Sequence, residues 1–493
     1  MVTRKFNKVM FINPSNTMPK DSVRRLTTPL GFLYMGAVLK QHGYDVNIVD
    51  SPCEGYYQTR VNGDFISYGL SEDEVEKRIK AFGPDLVGVT SMFTAHQNNA
   101  NRHCDLVRKV SDAPIVLGGI HPSLDMRASI ENPSVDFVVS GEGEYRLLKL
   151  LEALNAGAKT FDIDGLAFKQ DGRAVINPAT TRIEDLDQLP LPARDLVDME
   201  RYIKIGVPFG PFSRRERVEQ VTTSRGCPFN CNFCSTVNYW GHSFRARSVD
   251  SIMKEIDQLA KVYRVEEIQF ADDNLTANKK RAKELFKRMI PYQLSWCTPN
   301  GLMAQTIDEE MVGLMADSGA YQISLAIESG SDRVRKEIIH KTVPSKDKVK
   351  AMIDSFRKRN VQVHGLFILG FPGETREEME ETIAYPRETG FDSASIFLAT
   401  PLIGSELFRE CVEKKYIAPD FIAGDLKHYA MEIPPSSADF VMPGSELEAL
   451  ADNATREFNA WSRERNPGAW EAKYAQFLKR HGDKADLILG RVT

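Results

Sequence analysis

Short apolar runs rich in β-branched residues alternate with helix-length amphipathic segments along most of this chain, in two separate series. The first series has runs at 8–12, 45–49, 86–89, 115–117 and 137–139, with helical periodicity between them at 31–41, 72–82, 98–110 and 144–155. Runs this short are buried strands rather than helices, and the helix-length segments between them suit parallel crossover connections. An α/β fold follows, beginning with a doubly wound parallel sheet whose ligands sit beyond the C-terminal ends of its strands.

The second series runs through strands expected at 219–223, 267–270, 295–298, 322–327, 363–369 and 394–398, with helices at 252–262, 279–289, 309–318, 346–359 and 376–389. Six strands with helical crossovers predict a partial or full (β/α) barrel, with its chemistry at the C-terminal rim. Between the series, residues 158–218 break into short strand-like pieces and proline-rich connections such as Leu189-Pro190-Leu191-Pro192, a linker with a small sheet of its own. The expected organisation is a sheet domain at 1–157, a linker at 158–218, a barrel at 219–419 and a mixed region at 420–493, with helices at 445–462 and 470–479. A chain of 493 residues exceeds what one core supports.

Composition removes several classes of function. Lys and Arg number 63 against 68 Asp and Glu, so no basic surplus points to nucleic acid or an anionic membrane. No apolar run is long enough to span a bilayer, and residues 1–13 lack the hydrophobic region and cleavage site of a signal peptide. The expected location is the cytoplasm. Seven cysteines are sparse for a disulfide framework, and three crowd into eight residues; Cys53, Cys104, Cys297 and Cys411 read as buried thiols.

The crowded three are Cys227, Cys231 and Cys234, in Cys227-Pro228-Phe229-Asn230-Cys231-Asn232-Phe233-Cys234, directly after the first strand of the second series. Three thiolates on one loop can ligate three irons of a 4Fe-4S cube and leave the fourth open. A structural zinc site is the alternative, but zinc normally takes four protein ligands, and no fourth Cys or His stands at the required spacing.

This C-x3-C-x-aromatic-C loop after a barrel strand resembles the radical S-adenosylmethionine (SAM) superfamily, over residues 219–407. The resemblance implies a 4Fe-4S cluster on Cys227, Cys231 and Cys234, SAM chelating the open iron, and Phe233 beside adenine, where ordinary loop packing is the alternative. It implies that Asp272 or Asp273, in Gln269-Phe270-Ala271-Asp272-Asp273-Asn274, meets the SAM amino group, although the commoner Gly-Gly-Glu is missing and Asp273 also suits a helix N-cap. Glu328, in Ser324-Leu325-Ala326-Ile327-Glu328-Ser329-Gly330-Ser331, is the expected ribose or SAM contact. The segment 365–374 resembles the fifth-strand stretch that flanks adenine, with Gly370 admitting the base and Glu374 one place later than usual. Arg245 and Arg247 reach the SAM carboxylate or are exposed arginines leading into a helix.

In the first series, loops after successive strands carry Asn13-Pro14-Ser15-Asn16, Ser91-Met92-Phe93-Thr94, Gly118-Gly119-Ile120-His121-Pro122-Ser123 and Gly141-Glu142-Gly143-Glu144. Their order is similar to the cobalamin-binding domains fused ahead of radical SAM barrels. That resemblance implies cobalamin bound by Asn13, Ser91, Gly118, Gly119, His121, Gly141 and Glu142, with the glycines admitting its nucleotide tail. His121 contacts the tail or is a loop hydrogen-bonder. The Asp-x-His-x-x-Gly motif is missing, so the cobalamin lacks a protein histidine ligand. A degenerate fold without cofactor, or one for another nucleotide, is the alternative.

Together the cofactors imply a cobalamin-dependent radical SAM methyltransferase acting on an unactivated carbon of a small molecule, served by an external electron donor such as flavodoxin or ferredoxin. Glu54-Gly55-Tyr56-Tyr57, Asp64-Phe65-Ile66 and Tyr68-Gly69-Leu70-Ser71 look like the C-methylases of fosfomycin biosynthesis, which act on a cytidylylated phosphonate. An oxidative cyclase or rearrangement enzyme of tetrapyrrole type is the alternative within the class, and a cobalamin-dependent sensor the alternative outside it.

Overall fold

The computed structural model describes residues 4–20, 22–210, 213–422, 428–468 and 477–482. They form two compact units, divided between Val207 and Pro208.

In the first unit ten strands are described: β1 (Lys8–Asn13), β2 (Asn16–Pro19), β3 (Asp45–Asp50), β4 (Thr59–Asn62), β5 (Phe65–Tyr68), β6 (Leu86–Thr90), β7 (Ile115–Gly118), β8 (Phe137–Val139), β9 (Leu166–Gln170) and β10 (Arg173–Ile176). The main sheet runs β10-β9-β8-β7-β6-β1-β3. Its five strands from the periodic series are all parallel and change direction of progression between β1 and β6. A doubly wound sheet places its crevice at that switch point. Both faces are apolar: Val9, Phe11 and Ile48 pack on the layer that holds Leu30–Gln41 and Gly143–Asn155, while Met10, Ile12 and Val89 face Glu72–Phe82 and Gln97–Val110. Helix Glu72–Phe82 begins with a reciprocal capping box between Ser71 and Glu74 and ends on Gly83 at φ +61°.

Two features depart from the sequence expectation. Residues 166–176 form no sheet of their own: β9 pairs antiparallel with β8, and β10 with β9, which covers the open edge of the main sheet. A second, three-stranded antiparallel sheet, β2-β5-β4, is built from residues read only as loops.

The second unit holds β11 (Val218–Val221), β12 (Ser224–Arg225), β13 (Arg245–Ala246), β14 (Glu267–Phe270), β15 (Ser295–Leu302), β16 (Ala320–Glu328), β17 (Gln362–Leu369) and β18 (Ser393–Leu398). Six of these make one parallel sheet in sequential order, β11-β14-β15-β16-β17-β18, the topology of a partial (β/α) barrel. β15 runs four residues beyond its expected end at Thr298. Pro299 is accommodated by a register shift between Thr298 and Gly301 against β16. Trp296, fully buried, stacks on Phe286 at 4.9 Å and donates Nε1–H to Ser318 O at 3.1 Å.

Helix Gly444–Arg465 lies along the outer edge of β18. Asn459 accepts from Ala394 N–H at 3.1 Å and donates to Ala394 O at 2.9 Å; Thr455 accepts from Ile396 N–H, and Ser462 donates to Asp392 O. Of the helix expected at 470–479, residues 470–476 lie outside the described residues. No described helix is long and apolar enough to cross a membrane.

Candidate functional site

In the second unit the cysteine loop hangs from the ribbon of β12 and β13. Gly226 opens it at φ +85°, where a Cβ would stand 2.4 Å from Ser243 O; only glycine lets the two sides of the loop approach so closely. The middle of the loop is tied to distant chain: Asn232 N–H donates to Ile339 O at 3.1 Å, and Asn232 O accepts from Leu407 N–H at 2.9 Å. Cys234 N–H donates to Cys231 O at 3.0 Å. The loop is therefore held in shape by backbone contacts.

Cys227, Cys231 and Cys234 are free thiols, each partly buried. Burial pushes Cys227 up to about 11 and Cys231 to about 12, and raises Cys234 as well. Such thiols stay protonated until a metal displaces the proton. Among the described residues no three His, Cys, Asp or Glu side chains converge on a single ion position. A cube takes one thiolate per iron and needs no such convergence, so the donor set fits a 4Fe-4S cluster with one open iron.

Two carboxylates expected at this site have different surroundings. Asp272 is buried and committed: it accepts from Thr223 N–H at 3.1 Å, from Thr223 Oγ1–H at 2.6 Å and from the Ser224 hydroxyl. It fixes the turn that enters the cysteine loop. Asp273 has one hydrogen bond among the described residues, from Gly226 N–H at 3.3 Å. Burial, with Asp272 adding to it, lifts its carboxyl to about 6, and it acts electrostatically on Cys227 and Cys234. Asp273 is no helix cap, since Asn278 caps the helix that follows.

Glu328 ends β16 at φ +68°, past a register shift at Ala326. Its Oε1 accepts from Lys341 Nζ at 2.8 Å, with both side chains almost wholly buried, and both act electrostatically on Cys231. Lys341 gives no local signal in the sequence. It reaches the cysteines because Lys341 N–H donates to Arg335 O at 2.7 Å and His340 adopts φ +61°.

Phe233 packs 6.0 Å from Phe371 against an apolar cluster. The side-chain space at Gly370 is filled, Leu447 Cδ2 lying 2.4 Å and Tyr429 Cε2 3.0 Å from where its Cβ would be, so packing alone requires glycine there. Arg245 and Arg247 are not exposed. Arg247 is bonded to Glu255 and Ser251, and the Arg245 guanidinium lies 6.0 Å over the Trp240 ring.

In the first unit the expected residues follow β1, β6, β7 and β8. Asn13 Nδ2–H donates to Asp50 Oδ1 at 3.0 Å. Ser91 is fully buried, its N–H donating to Gly118 O at 2.8 Å and its carbonyl accepting from His121 N–H at 3.2 Å. Gly119 stands at φ +112°, and a Cβ there would fall 2.5 Å from Ser91 O. Gly118 has no such crowding, its nearest neighbour being Val139 O at 3.6 Å. Gly141, at φ +68°, makes way for Arg146, which donates to Ser140 O, Glu142 O, Thr181 O, Asp164 O and the Asp164 side-chain Oδ2. Glu142 Oε2 accepts from Ile183 N–H at 2.7 Å. Arg146, which sequence reading missed, thus organises the Gly-Glu-Gly-Glu loop.

His121 is 1% exposed, and among the described residues neither ring nitrogen has a hydrogen-bond partner. Buried polar groups are normally satisfied, so these nitrogens call for a ligand with polar atoms. Met92 and Phe93, beside Ser91, expose apolar surface. Orphaned imidazole, close-set glycine loops and apolar rim fit a large flat cofactor with a polar tail.

The family model of the radical SAM superfamily matches residues 221–385, and that of the B12 binding domain residues 20–151. The chain is 37% identical to the cytidylyl-2-hydroxyethylphosphonate methyltransferase of Streptomyces wedmorensis over 491 residues, covering 93% of this chain and 91% of that one. It is 28% identical to the anaerobic magnesium-protoporphyrin IX monomethyl ester cyclase of Rubrivivax gelatinosus, over 92% and 77% of the two chains. Its fold is that of the radical SAM methyltransferase TsrM from Kitasatospora setae, solved with cobalamin and a [4Fe-4S] cluster bound, at a TM-score of 0.66 and 18% identity over 83% of this chain and 75% of that one. A sensor would have no use for the second unit. The chain belongs to the cobalamin-dependent radical SAM methyltransferases, enzymes that use a 4Fe-4S cluster, SAM and cobalamin.

Proposed function

We propose that this enzyme methylates an unactivated carbon of a small phosphonate, of the class named for the Streptomyces wedmorensis relative. The observation that carries the reading is the reach of that similarity, which spans 93% of the chain and so includes both units. When bound, the cluster supplies the electron that cleaves SAM homolytically, and cobalamin carries the methyl group.

The chain's own residues divide the work. Cys227, Cys231 and Cys234 hold the cluster, and Asp273, poor in partners, takes the SAM ammonium group. Asp272 positions the loop through Thr223 and Ser224. Glu328, fixed by Lys341, offers its second oxygen to the ribose, while Phe233 and the backbone at Gly370 flank the adenine. In the first unit Ser91, Gly118, Gly119 and Gly141 shape the seat for the cobalamin tail, and His121 donates to it. Asn13 and Glu142 hold the seat's loops, and no histidine ligates the cobalt. A flavodoxin or ferredoxin supplies the electron, and the cytoplasm keeps the thiols reduced.

The test is turnover of cytidylyl-2-hydroxyethylphosphonate by the anaerobically reconstituted enzyme with methyl-deuterated SAM. One 5′-deoxyadenosine and one S-adenosylhomocysteine per labelled product methyl are expected. An untouched substrate refutes the phosphonate assignment. Deoxyadenosine formed without stoichiometric S-adenosylhomocysteine is the signature of a cyclase and refutes methyl transfer.

A further inference from the structure

Two buried arginines of the first unit make an instructive pair. Arg146 is satisfied by Asp164 and by four carbonyls. Arg24 is 1% exposed, and among the described residues its Nε, Nη1 and Nη2 have no hydrogen-bond partner. Among the described residues no carboxylate acts on it; its neighbours are Tyr56 and Tyr68, with the Tyr68 ring 5.6 Å from the guanidinium carbon. A guanidinium cannot shed its charge under ordinary conditions, and burying it unpaired costs several kcal/mol. A guanidinium so placed, unpaired among the described residues, is poised to take an anion.

The surroundings hold the side chain ready. Tyr56 Oη–H donates to Arg24 O at 3.2 Å and Tyr68 Oη–H to Arg25 O at 3.0 Å, so two buried phenols clamp the backbone on which Arg24 stands. Asn16 Nδ2–H holds the Tyr68 oxygen at 2.9 Å. The next residue, Gly69, has φ +135°, and a Cβ there would lie 2.7 Å from Ser51 Oγ, a second buried polar atom with no partner among the described residues. Asn16, Tyr68, Gly69 and Ser51 come from the small sheet β2-β5-β4 and the turns after β5 and β3.

We propose that Arg24 is an anchor for a phosphorus oxyanion, its fork of donors taking two oxygens of a phosphonate or phosphodiester. The planar guanidinium matches that geometry, whereas an ammonium would not. The proposal rests on the phosphonate reading for one source of the anion, the substrate. The phosphodiester of the cobalamin tail is the other.

The test compares the full-length protein with Arg24→Met and Arg24→Gln. Three probes are titrated separately: hydroxocobalamin, cytidylyl-2-hydroxyethylphosphonate and inorganic phosphate. Binding and thermal midpoints are recorded. Without ligand, Arg24→Met is expected to melt no lower than the native protein, because it removes an unpaired charge and keeps the volume. The dissociation constant of the true ligand should rise roughly 10- to 100-fold in both variants, as for loss of charge-assisted hydrogen bonds. A loss confined to the phosphonate and phosphate assigns the anion to the substrate, and a loss for hydroxocobalamin assigns it to the cofactor tail. The proposal is overturned if all three affinities are unchanged, or if both variants melt well below the native protein. Native protein that binds hydroxocobalamin or phosphate through Arg24 but ignores the phosphonate would leave the anchor standing and remove the substrate reading. Unaltered methylation of the phosphonate by Arg24→Met, with unchanged affinities, would do the reverse.

Discussion

Replacing Lys341 by methionine takes the cation out of a pair whose nitrogen and oxygen are 2.8 Å apart, with only 2% and 9% of the two side chains exposed. At an effective dielectric constant of about 20, Coulomb attraction at that separation is about 6 kcal/mol, most of which offsets the desolvation of both charges. The substitution leaves the desolvation of Glu328 without its compensation, and breaking such pairs costs about 3–5 kcal/mol. Glu328→Gln strands the ammonium and should cost a similar amount. The double variant loses both charges together and should recover at least ~2 kcal/mol of the summed loss. Denaturation of the cofactor-free chain followed by tryptophan fluorescence reads this cleanly. All four tryptophans, Trp240, Trp296, Trp461 and Trp470, come after Val207, so the signal belongs to the second half of the chain. Single variants within about 0.5 kcal/mol of the native protein, or a double variant as unstable as the two losses added, would refute the reasoning.

Replacing Cys227, Cys231 and Cys234 together by alanine should abolish the iron–sulfur absorption and SAM cleavage while far-ultraviolet circular dichroism is unchanged; a triple variant that retains about four irons per chain contradicts the assignment. Gly119→Ala drives a Cβ to 2.5 Å from Ser91 O at a φ of +112°, and should weaken hydroxocobalamin binding at least about tenfold in an absorbance titration. Glu378 accepts from Arg333, Thr375 N–H and Ser331, which hold its carboxyl down at about 2. Because that value is depressed below the ordinary 4.5, its stabilisation is complete above about pH 4.5 and lost as pH falls toward 2. Screened by solvent at the exposed Arg333, it amounts to about 1–2 kcal/mol, and Glu378→Gln should flatten acid unfolding across that window.

The strands and helices of both parallel sheets were legible because each carries its own burial pattern: Phe137–Val139, Glu267–Phe270, Glu72–Phe82 and Arg376–Thr389 all lie where periodicity puts them. The strands of the β2-β5-β4 sheet are four residues long, with partly or fully exposed side chains along β2 and β4, so no apolar run announces them. The cysteine site was equally local, its three donors lying within eight residues. Asp272 and Asp273 could not be told apart in sequence, because what separates them is Thr223 and Ser224, nearly fifty residues away. Lys341 and Arg146 were invisible for the same reason. Their roles depend on Glu328 and Asp164, partners that only the folded chain brings to them.

The helix laid against β18 answers a problem that closing a barrel would otherwise solve. An unpaired strand recruits whatever extended peptide drifts past, and each recruit offers a fresh margin to the next. Asn459 instead gives Ala394 the one donor and one acceptor that a neighbouring peptide group would give, from a side chain with nothing beyond it to propagate. Thr455 and Ser462, on the same helical face, quench the groups on either side. Growth of the sheet stops at a terminator rather than at a seam. Freed from the need to join first strand to last, the sheet stays open, with β11 and β18 unpaired to one another among the described residues.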